Sequence, residues 1–276
     1  MTAAAGAING TKGWAPFAHS LFFLLFLGLP ASRLRGESSR ALTVFAASSL
    51  TEAFTELGEA FFKNPGGARV ILNFAGSNWL RIQLEQGAQA DVFATANAVD
   101  MEKAVDATLV SGSPVYFATN ALILAKPRED PGGVRTLADL ARPGVRLVLA
   151  HRNVPAGRYT EKMLKALSIQ ALCGVDFQER VRRNVLSEET NVKQVMAKVL
   201  LGEADAAFVY KTDITPNVRH MISTIQIPKE AQIQARYPVA VLRSSASEAL
   251  GRRFISFLLS EEGRSILDHF GFGPTP

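Results

Sequence analysis

Apolar positions along this chain switch repeatedly between two periods. Leu42-Thr43-Val44-Phe45 is a short apolar run with strand character, and from Leu50 to Lys63 the residues Ala53, Phe54, Leu57, Phe61 and Phe62 recur at helical spacing. Asn64-Pro65-Gly66-Gly67 closes that helix. The cycle then repeats. Val70 to Phe74 reads as a strand, Ala75-Gly76-Ser77-Asn78 as a turn, and Trp79 opens a helix that Gly87 stops. Asp91 to Ala96 is a third strand and Asn97 to Val105 a short helix. Such alternation predicts a parallel sheet with helices on both faces.

Beyond it, Val115-Tyr116-Phe117 and Ala121 to Ala125 read as two strands separated at Thr119-Asn120, leading away from the first unit. A second alternation follows. Thr136-Leu137-Ala138-Asp139 resembles a capping box, Val145 to Leu149 is a strand, Asn153-Val154-Pro155-Ala156-Gly157 a turn and Arg158 to Leu167 a helix. Asn191 can cap a helix running to Leu201 and ended by Gly202, before the strand Ala206 to Tyr210. Strands at Ile222–Ile227 and Tyr237–Leu242 and helices at Ser247–Leu259 and Glu261–His269 close the chain. The stripes Phe254, Phe257, Leu258 and Ile266, Leu267, Phe270 are core. The order predicts an α/β protein of two lobes, each a mostly parallel sheet flanked by helices. Residues 41–118 with 218–276 would form lobe 1, and 119–217 an inserted lobe 2. Two hinge strands, near Phe117–Ala121 and Thr212–Val218, would join them around a ligand cleft.

Three strand-to-helix turns share one composition: small residues, a hydroxyl or amide, then a helix. They are Ala47-Ser48-Ser49, Gly76-Ser77-Asn78 and Val154-Pro155-Ala156-Gly157. In the first, Ser49 and Glu52 have capping-box spacing, with Ser49 as N-cap. A helix start has unpaired N–H groups and the positive end of the helix dipole, and so attracts anions. Tyr210, at the carboxyl end of an apolar strand, would add a phenol. Ordinary capped turns have the same residues, so the pattern alone leaves both readings open. A neutral cluster of donors can nonetheless hold a dianion, because hydrogen bonds to charged groups contribute about 1.5–3 kcal/mol each. Donors alone also favour an oxyanion with no proton of its own.

Charge and composition narrow the classes. The net charge is +5 over 276 residues, but residues 1–40 account for +3 through Lys12, Arg33, Arg35 and Arg40 against Glu37, leaving +2 for the rest. No basic stripe suits nucleic acid. The single cysteine, Cys173, reads as a small apolar residue, and the four histidines form no metal-spaced cluster. Leu21 to Leu29 is an apolar run too short to span a bilayer comfortably, and Pro30-Ala31-Ser32 suits cleavage, so residues 1–40 are expected to be a secretory signal. The alternative, less favoured by these residues, is an uncleaved anchor held by Arg33 and Arg35. For an enzyme, Ser48, Ser49 or Ser77 could be joined with His151 and Asp91 into a hydrolase triad, but no G-x-S-x-G elbow, P-loop or G-x-G-x-x-G follows a strand. Glu188-Glu189 and Glu261-Glu262 read as solvated charges at helix ends.

Taken in order, Val44 to Leu50, Phe74-Ala75-Gly76-Ser77, Ala90 to Ala94, Val154 to Tyr159, Val209-Tyr210 and Tyr237 to Val241 resemble the periplasmic molybdate-binding proteins of ABC transporters. The resemblance covers about residues 41–272. It implies a class II-type binding protein, not an enzyme and without a cofactor, that closes on molybdate or tungstate and delivers it to a membrane permease from the periplasm. It also implies that Ser49, Ser77, Ala156, Val192 and Tyr210 hold the oxyanion, with no side chain ligating the metal itself. The role of Val192 comes from the resemblance alone. Sulfate is the alternative ligand, and a secreted serine hydrolase the alternative class. Trp79 and Arg158 depart from the family pattern, and either would alter the site if it turned inward.

Overall fold

A computed structural model of the chain describes residues 41–170 and 172–275; the signal expected over residues 1–40 lies outside them. The first strand, β1 (Leu42–Ala47), runs into a single 3-10 turn (Ser48–Leu50) and then α1 (Thr51–Lys63). Parallel neighbours flank β1 on both sides: β2 (Val70–Ala75) and β3 (Val92–Ala94). Helices α2 (Ser77–Glu85) and α3 (Ala98–Asp106) follow those two strands. Alternation along β1 sorts its side chains. Leu42, Val44 and Ala46 join the core beneath Phe54, Leu57 and Phe61 of α1, whereas Phe45 joins Leu80, Leu84, Phe93 and Met101 under α2 and α3. The sheet is thus covered on both faces.

The next strand corrects an expectation. The two predicted strands around Thr119-Asn120 are one 18-residue strand, β4 (Val110–Pro127). Its first part pairs antiparallel with a late strand, β9 (Gln234–Leu242), which also borders β3. Its last part pairs instead with β7 (Ala207–Tyr210) and β8 (Ile222–Ile225). Register shifts at Ser111/Val115 and Tyr116/Ala118 interrupt the pairing with β9, before the partner changes at Leu122. Between β4 and β7 lie β5 (Leu147–Ala150), α4 (Pro155–Ile169), α5 (Phe177–Arg183), β6 (Val185–Glu189) and α6 (Val192–Leu200). β5 and β6 are parallel, and a bridge from Leu147 to Ala206 places β5 beside β7. The result is a two-lobed α/β fold with mixed sheets, in which β4 runs through both lobes.

Several expectations change at this scale. After Val218, β8 pairs with Leu124–Pro127 of β4, and the chain reaches β9 at Gln234. Glu188 and Glu189 stand on β6 rather than at a helix end. The helices α5, β6's neighbour, and α7 (Pro216–Arg219) had no clear apolar period and were not predicted. Thr136 and Asp139 do form their box, with the Asp139 carboxylate accepting from the Thr136 backbone N–H at 2.7 Å, but on a five-residue 3-10 turn. Helix α8 (Glu248–Leu258) and α9 (Glu261–His269) pack on α1 through Phe54, Phe61, Phe254 and Phe257, whose rings meet at 5.3–6.1 Å. Asn191 caps α6 and Ser260 caps α9, each accepting a first-turn N–H.

Helix α4 sits unusually close to the strand that feeds it. A Cβ placed on Gly157 would lie 2.2 Å from the His151 carbonyl oxygen and 2.4 Å from that of Ala150. Neither backbone oxygen can swing aside as a side chain could. Gly157→Ala is therefore expected to lower stability by about 1–3 kcal/mol through forced displacement of the α4 start; urea unfolding of wild type and variant checks it.

Candidate functional site

The three small-residue turns converge. Ala47, Ser48, Ser49, Gly76, Ser77, Ala96, Val154, Pro155, Ala156, Val192 and Tyr210 line one cavity at the junction of the lobes. All five residues singled out from the sequence, Ser49, Ser77, Ala156, Val192 and Tyr210, are among them. Room for the centre of a water-sized sphere is only about 10 Å³, the scale of one small species. Neither Trp79, 46 % exposed, nor Arg158 lines it. A larger open concavity of about 770 Å³, bordered by Phe61, Asn64, Arg253 and Glu262, lies on the outer face of α1, α8 and α9 and gathers none of these residues.

Each lining group arrives for a local reason. Ser77 is the first residue of α2, Ala156 the second of α4 after Pro155, and Val192 the first of α6. At these positions a helix has no internal acceptor for its N–H groups, and its dipole is positive. Proline at the first position of α4 loses nothing, because its missing N–H would have been unpaired anyway. Gly76 lets the two lobes meet closely: a Cβ there would lie 2.6 Å from the Thr190 carbonyl oxygen, which belongs to the turn between β6 and α6.

Ser49 departs from its expected role. It is not a helix cap: it lies within the 3-10 turn, α1 begins after Leu50, and no side chain caps that start. The Ser49 hydroxyl lies 3.0 Å from the Tyr237 hydroxyl, and Glu52 is drawn to Lys193 at 2.7 Å rather than back to the Ser49 backbone. Long-range partners outcompete the local box. Ser48, which the resemblance does not single out, lines the cavity as well.

Tyr210 carries the most informative chemistry. Its side chain is buried, at 1 % exposure, and its hydroxyl, close to that of Tyr237, is in hydrogen-bond geometry with no described residue. Burial drives the phenol pKa well above its ordinary value, so the group holds its proton. A buried O–H without a partner costs about 1–3 kcal/mol, and here it faces a cavity lined by donors. Ser77 accepts the Ala96 N–H at 3.1 Å, and Tyr159 of α4 reaches the Ala96 carbonyl at 3.3 Å across the lobes. No cluster of His, Cys, Asp or Glu among the described residues could hold a metal ion.

The hydrolase arrangement does not assemble. Asp91 accepts from the Thr43 backbone N–H at 2.8 Å and the Ser245 hydroxyl at 2.6 Å, where it ties β1 to the loop after β9. His151 accepts from the Asn153 N–H at 3.2 Å and stands 3.7 Å from Glu188. Neither lines the cavity that holds Ser48, Ser49 and Ser77.

Beside the cavity is a charge cluster that sequence reading missed. Lys193, next to Val192, bridges to Glu52 of α1 at 2.7 Å and lies 3.4 Å from Asp213, so it spans the lobes. Asp213 is buried and also accepts the Tyr210 backbone N–H at 2.9 Å. Arg158 stands 3.9 Å and Arg81 3.5 Å from the buried Asp100, a second cross-lobe grouping on the other side of α4. Burial pushes Asp213 up to about 6 against the pull of Lys193. Lys193 is itself held above its ordinary value, because the two carboxylates outweigh its burial.

Comparison with known proteins places the chain. The family model described as bacterial extracellular solute-binding protein matches residues 42–273, and the chain belongs to that family. The molybdate-binding protein ModA of Mycobacterium tuberculosis is 38% identical over 245 residues, covering 88% of this chain and 89% of that protein. Its namesake from Escherichia coli is 27% identical over 238 residues, covering 84% of this chain and 88% of that protein. Among solved structures, the Azotobacter vinelandii periplasmic molybdate-binding protein has a TM-score of 0.72 at 20% identity, covering 85% of this chain and 100% of that one. The sulfate-binding protein SubI of Mycobacterium tuberculosis has a TM-score of 0.76 at 17% identity, covering 85% of this chain and 86% of that one. At those identities the two structures speak to the fold. No helix among the described residues is long and apolar enough to cross a membrane.

The charge cluster yields a pH dependence. The folded state holds the Asp213 proton more tightly than the unfolded chain, whose carboxyl titrates near 3.8. The stability this supplies is full below about pH 4 and is lost as pH rises through about 6. The melting-temperature advantage of wild type over Asp213→Asn should therefore shrink between pH 4 and pH 7. An advantage that grows with pH would refute the assignment.

Proposed function

We propose that this solute-binding protein captures molybdate, and tungstate with it, in the cavity between its lobes, and hands it to an ABC transporter permease from the periplasmic side. The single observation that carries the reading is the buried, unpartnered Tyr210 hydroxyl in a cavity walled by serine hydroxyls and helix starts. Such a wall offers protons and little else, which suits a small anion with no proton to give. Ser49 and Ser77 would offer hydroxyls, Ala156 and Val192 backbone N–H groups at the starts of α4 and α6, and Tyr210 its phenol. No cationic side chain lines the cavity, so the anion's charge would be met by dipoles and hydrogen bonds. The relatives' names supply the identity of the oxyanion, since donor geometry alone does not separate molybdate from sulfate.

Closure would be hinged. We place the lobes at residues 41–118 with the chain from β9 onward, and at 119–225, a later return than the sequence pattern indicates. The passages would be the middle of β4 and the segment from Ile225 to Gln234. With bound anion, Lys193 and Glu52, and Tyr159 and the Ala96 carbonyl, would hold the lobes together.

Titration calorimetry decides the ligand. Molybdate and tungstate should bind with sulfate much weaker, and no heat with molybdate, or equal affinity for sulfate, would overturn the reading. Tyr210→Phe, Ser49→Ala and Ser77→Ala should each cost about 1.5–3 kcal/mol of binding, about tenfold or more in Kd. Small-angle scattering tests the motion: the radius of gyration should fall when molybdate is added, and an unchanged value would count against hinged capture.

A further inference from the structure

Two of the three serine hydroxyls that line the cavity from the first lobe, those of Ser77 and Ser49, are hydrogen-bonded from behind, whereas Ser48 Oγ makes no such bond among the described residues. Ser77 Oγ accepts the Ala96 N–H at 3.1 Å. Behind Ser49 the chain is longer. Ser49 Oγ lies 3.0 Å from Tyr237 Oη, Tyr237 Oη lies 3.2 Å from Asn120 Nδ2, and the same Nδ2 is 2.9 Å from Thr212 Oγ1. The Asn120 amide has one sensible orientation, because its Oδ1 accepts the Ala121 N–H at 2.9 Å. An amide nitrogen can only donate, and both of its protons are used here. Tyr237 Oη therefore accepts from Asn120. The Tyr237 proton must then find an acceptor of its own; the Tyr210 hydroxyl stands nearby but outside hydrogen-bond geometry, and Ser49 Oγ at 3.0 Å is the acceptor the geometry favours. Ser49 thus accepts at its back, and its own proton is left for the cavity. Asn120, Tyr237 and Ser49 are all buried, so water does not compete for these bonds.

We infer that Asn120 and Tyr237 are positioning residues that set the direction of this chain, Asn120 to Tyr237 to Ser49, and that the direction makes the site reject oxyanions that carry a proton. The inference rests on the oxyanion site proposed above. A serine hydroxyl in isolation could present either its proton or a lone pair to a ligand. With the chain running this way, Ser49 presents its proton, as Ser77 does with the Ala96 N–H behind it and Tyr210 does with no acceptor role imposed on it. A hydrogen arsenate or hydrogen phosphate ion would then bury an O–H against donors. That mismatch is expected to weaken binding about tenfold to hundredfold relative to an equally sized ion without a proton. A purely structural role, tying β4 to β9 and to the 3-10 turn after Tyr210, would hold the lobes together but would not care whether the ligand carries a proton.

Reversing the chain tests this. In Asn120→Asp the carboxylate can only accept, so it would take the protons of Tyr237 and Thr212. Tyr237 would then accept from Ser49, whose lone pair would face the cavity. In Tyr237→Phe the hydroxyl of Ser49 would be free to turn either way without any change of charge. Calorimetry at pH 7 with sodium molybdate and with sodium arsenate, which carries at least one proton at that pH, gives the affinity ratio for each protein. The added charge of Asn120→Asp weakens both anions and cancels to first order in the ratio. The expected result is that the molybdate-to-arsenate preference falls about tenfold or more in Asn120→Asp and by a smaller factor in Tyr237→Phe. Molybdate binding by wild type with the same preference in both variants would overturn this inference alone. Absence of molybdate binding in wild type would overturn the function and the inference together. Should one variant fail to give a cooperative melt, the preference of the other decides.

Discussion

One strand constrains everything else. β4 is a single 18-residue strand whose first part belongs to the sheet of one lobe and whose last part belongs to the other. Main-chain hydrogen bonds to β9 on one stretch and to β7 and β8 on the next hold it across the boundary. Under the hinged closure proposed above, relative motion of the lobes would be taken up near Thr119 and Asn120 and in the passage into β9. Asn120 sits at that point and bonds residues of both neighbours, Tyr237 on β9 and Thr212 after β7. The same residue therefore stands at the proposed hinge and at the start of the polar chain to Ser49.

Around that axis the cavity is assembled from ends rather than from faces. Every strand that supplies a lining residue does so where it turns into a helix, so small side chains, backbone N–H groups and helix dipoles arrive together without a charged residue among them. The charged groups stand one step back. Lys193 with Glu52 and Asp213, and Arg81 and Arg158 with Asp100, bridge elements on opposite sides of the cleft. Keeping charge out of the cavity leaves recognition to hydrogen-bond direction and size, which are more discriminating than net attraction.

Most of the fold was legible because its periods were clean. The strands β1, β2, β3 and β7 and the helices α1, α4, α6, α8 and α9 follow apolar patterns that only one structure satisfies. That Ser49, Ser77 and Ala156 would share one cavity was legible because turns of one composition recur, whereas Val192 came only from the resemblance. What was not legible was non-local. The Ser49–Glu52 box has the right spacing, yet Tyr237, 188 residues away in sequence, takes the serine and Lys193 takes the glutamate. Thr119-Asn120 looked like a break between two strands because polar residues there serve partners from elsewhere in the chain. Glu188 and Glu189 looked like helix-end charges because β6 is an edge strand with alternating exposure and little apolar content. Tyr237 stood within a recognisable motif, but nothing in the sequence ties its hydroxyl to Ser49.

The approach of Gly76 to Thr190 bears on how finely the cavity is gauged. There the two lobes meet through a glycine and a carbonyl oxygen, with no side chain between them that could change rotamer to make room. Side chains yield by tenths of an ångström at small cost, whereas two backbones in contact act as a mechanical stop. If the cavity holds the oxyanion proposed above, the distance between the walls is set by the covalent chain itself and would act as a fixed gauge: an ion too large would hold the lobes off the stop, and one too small would leave donors short of their acceptors.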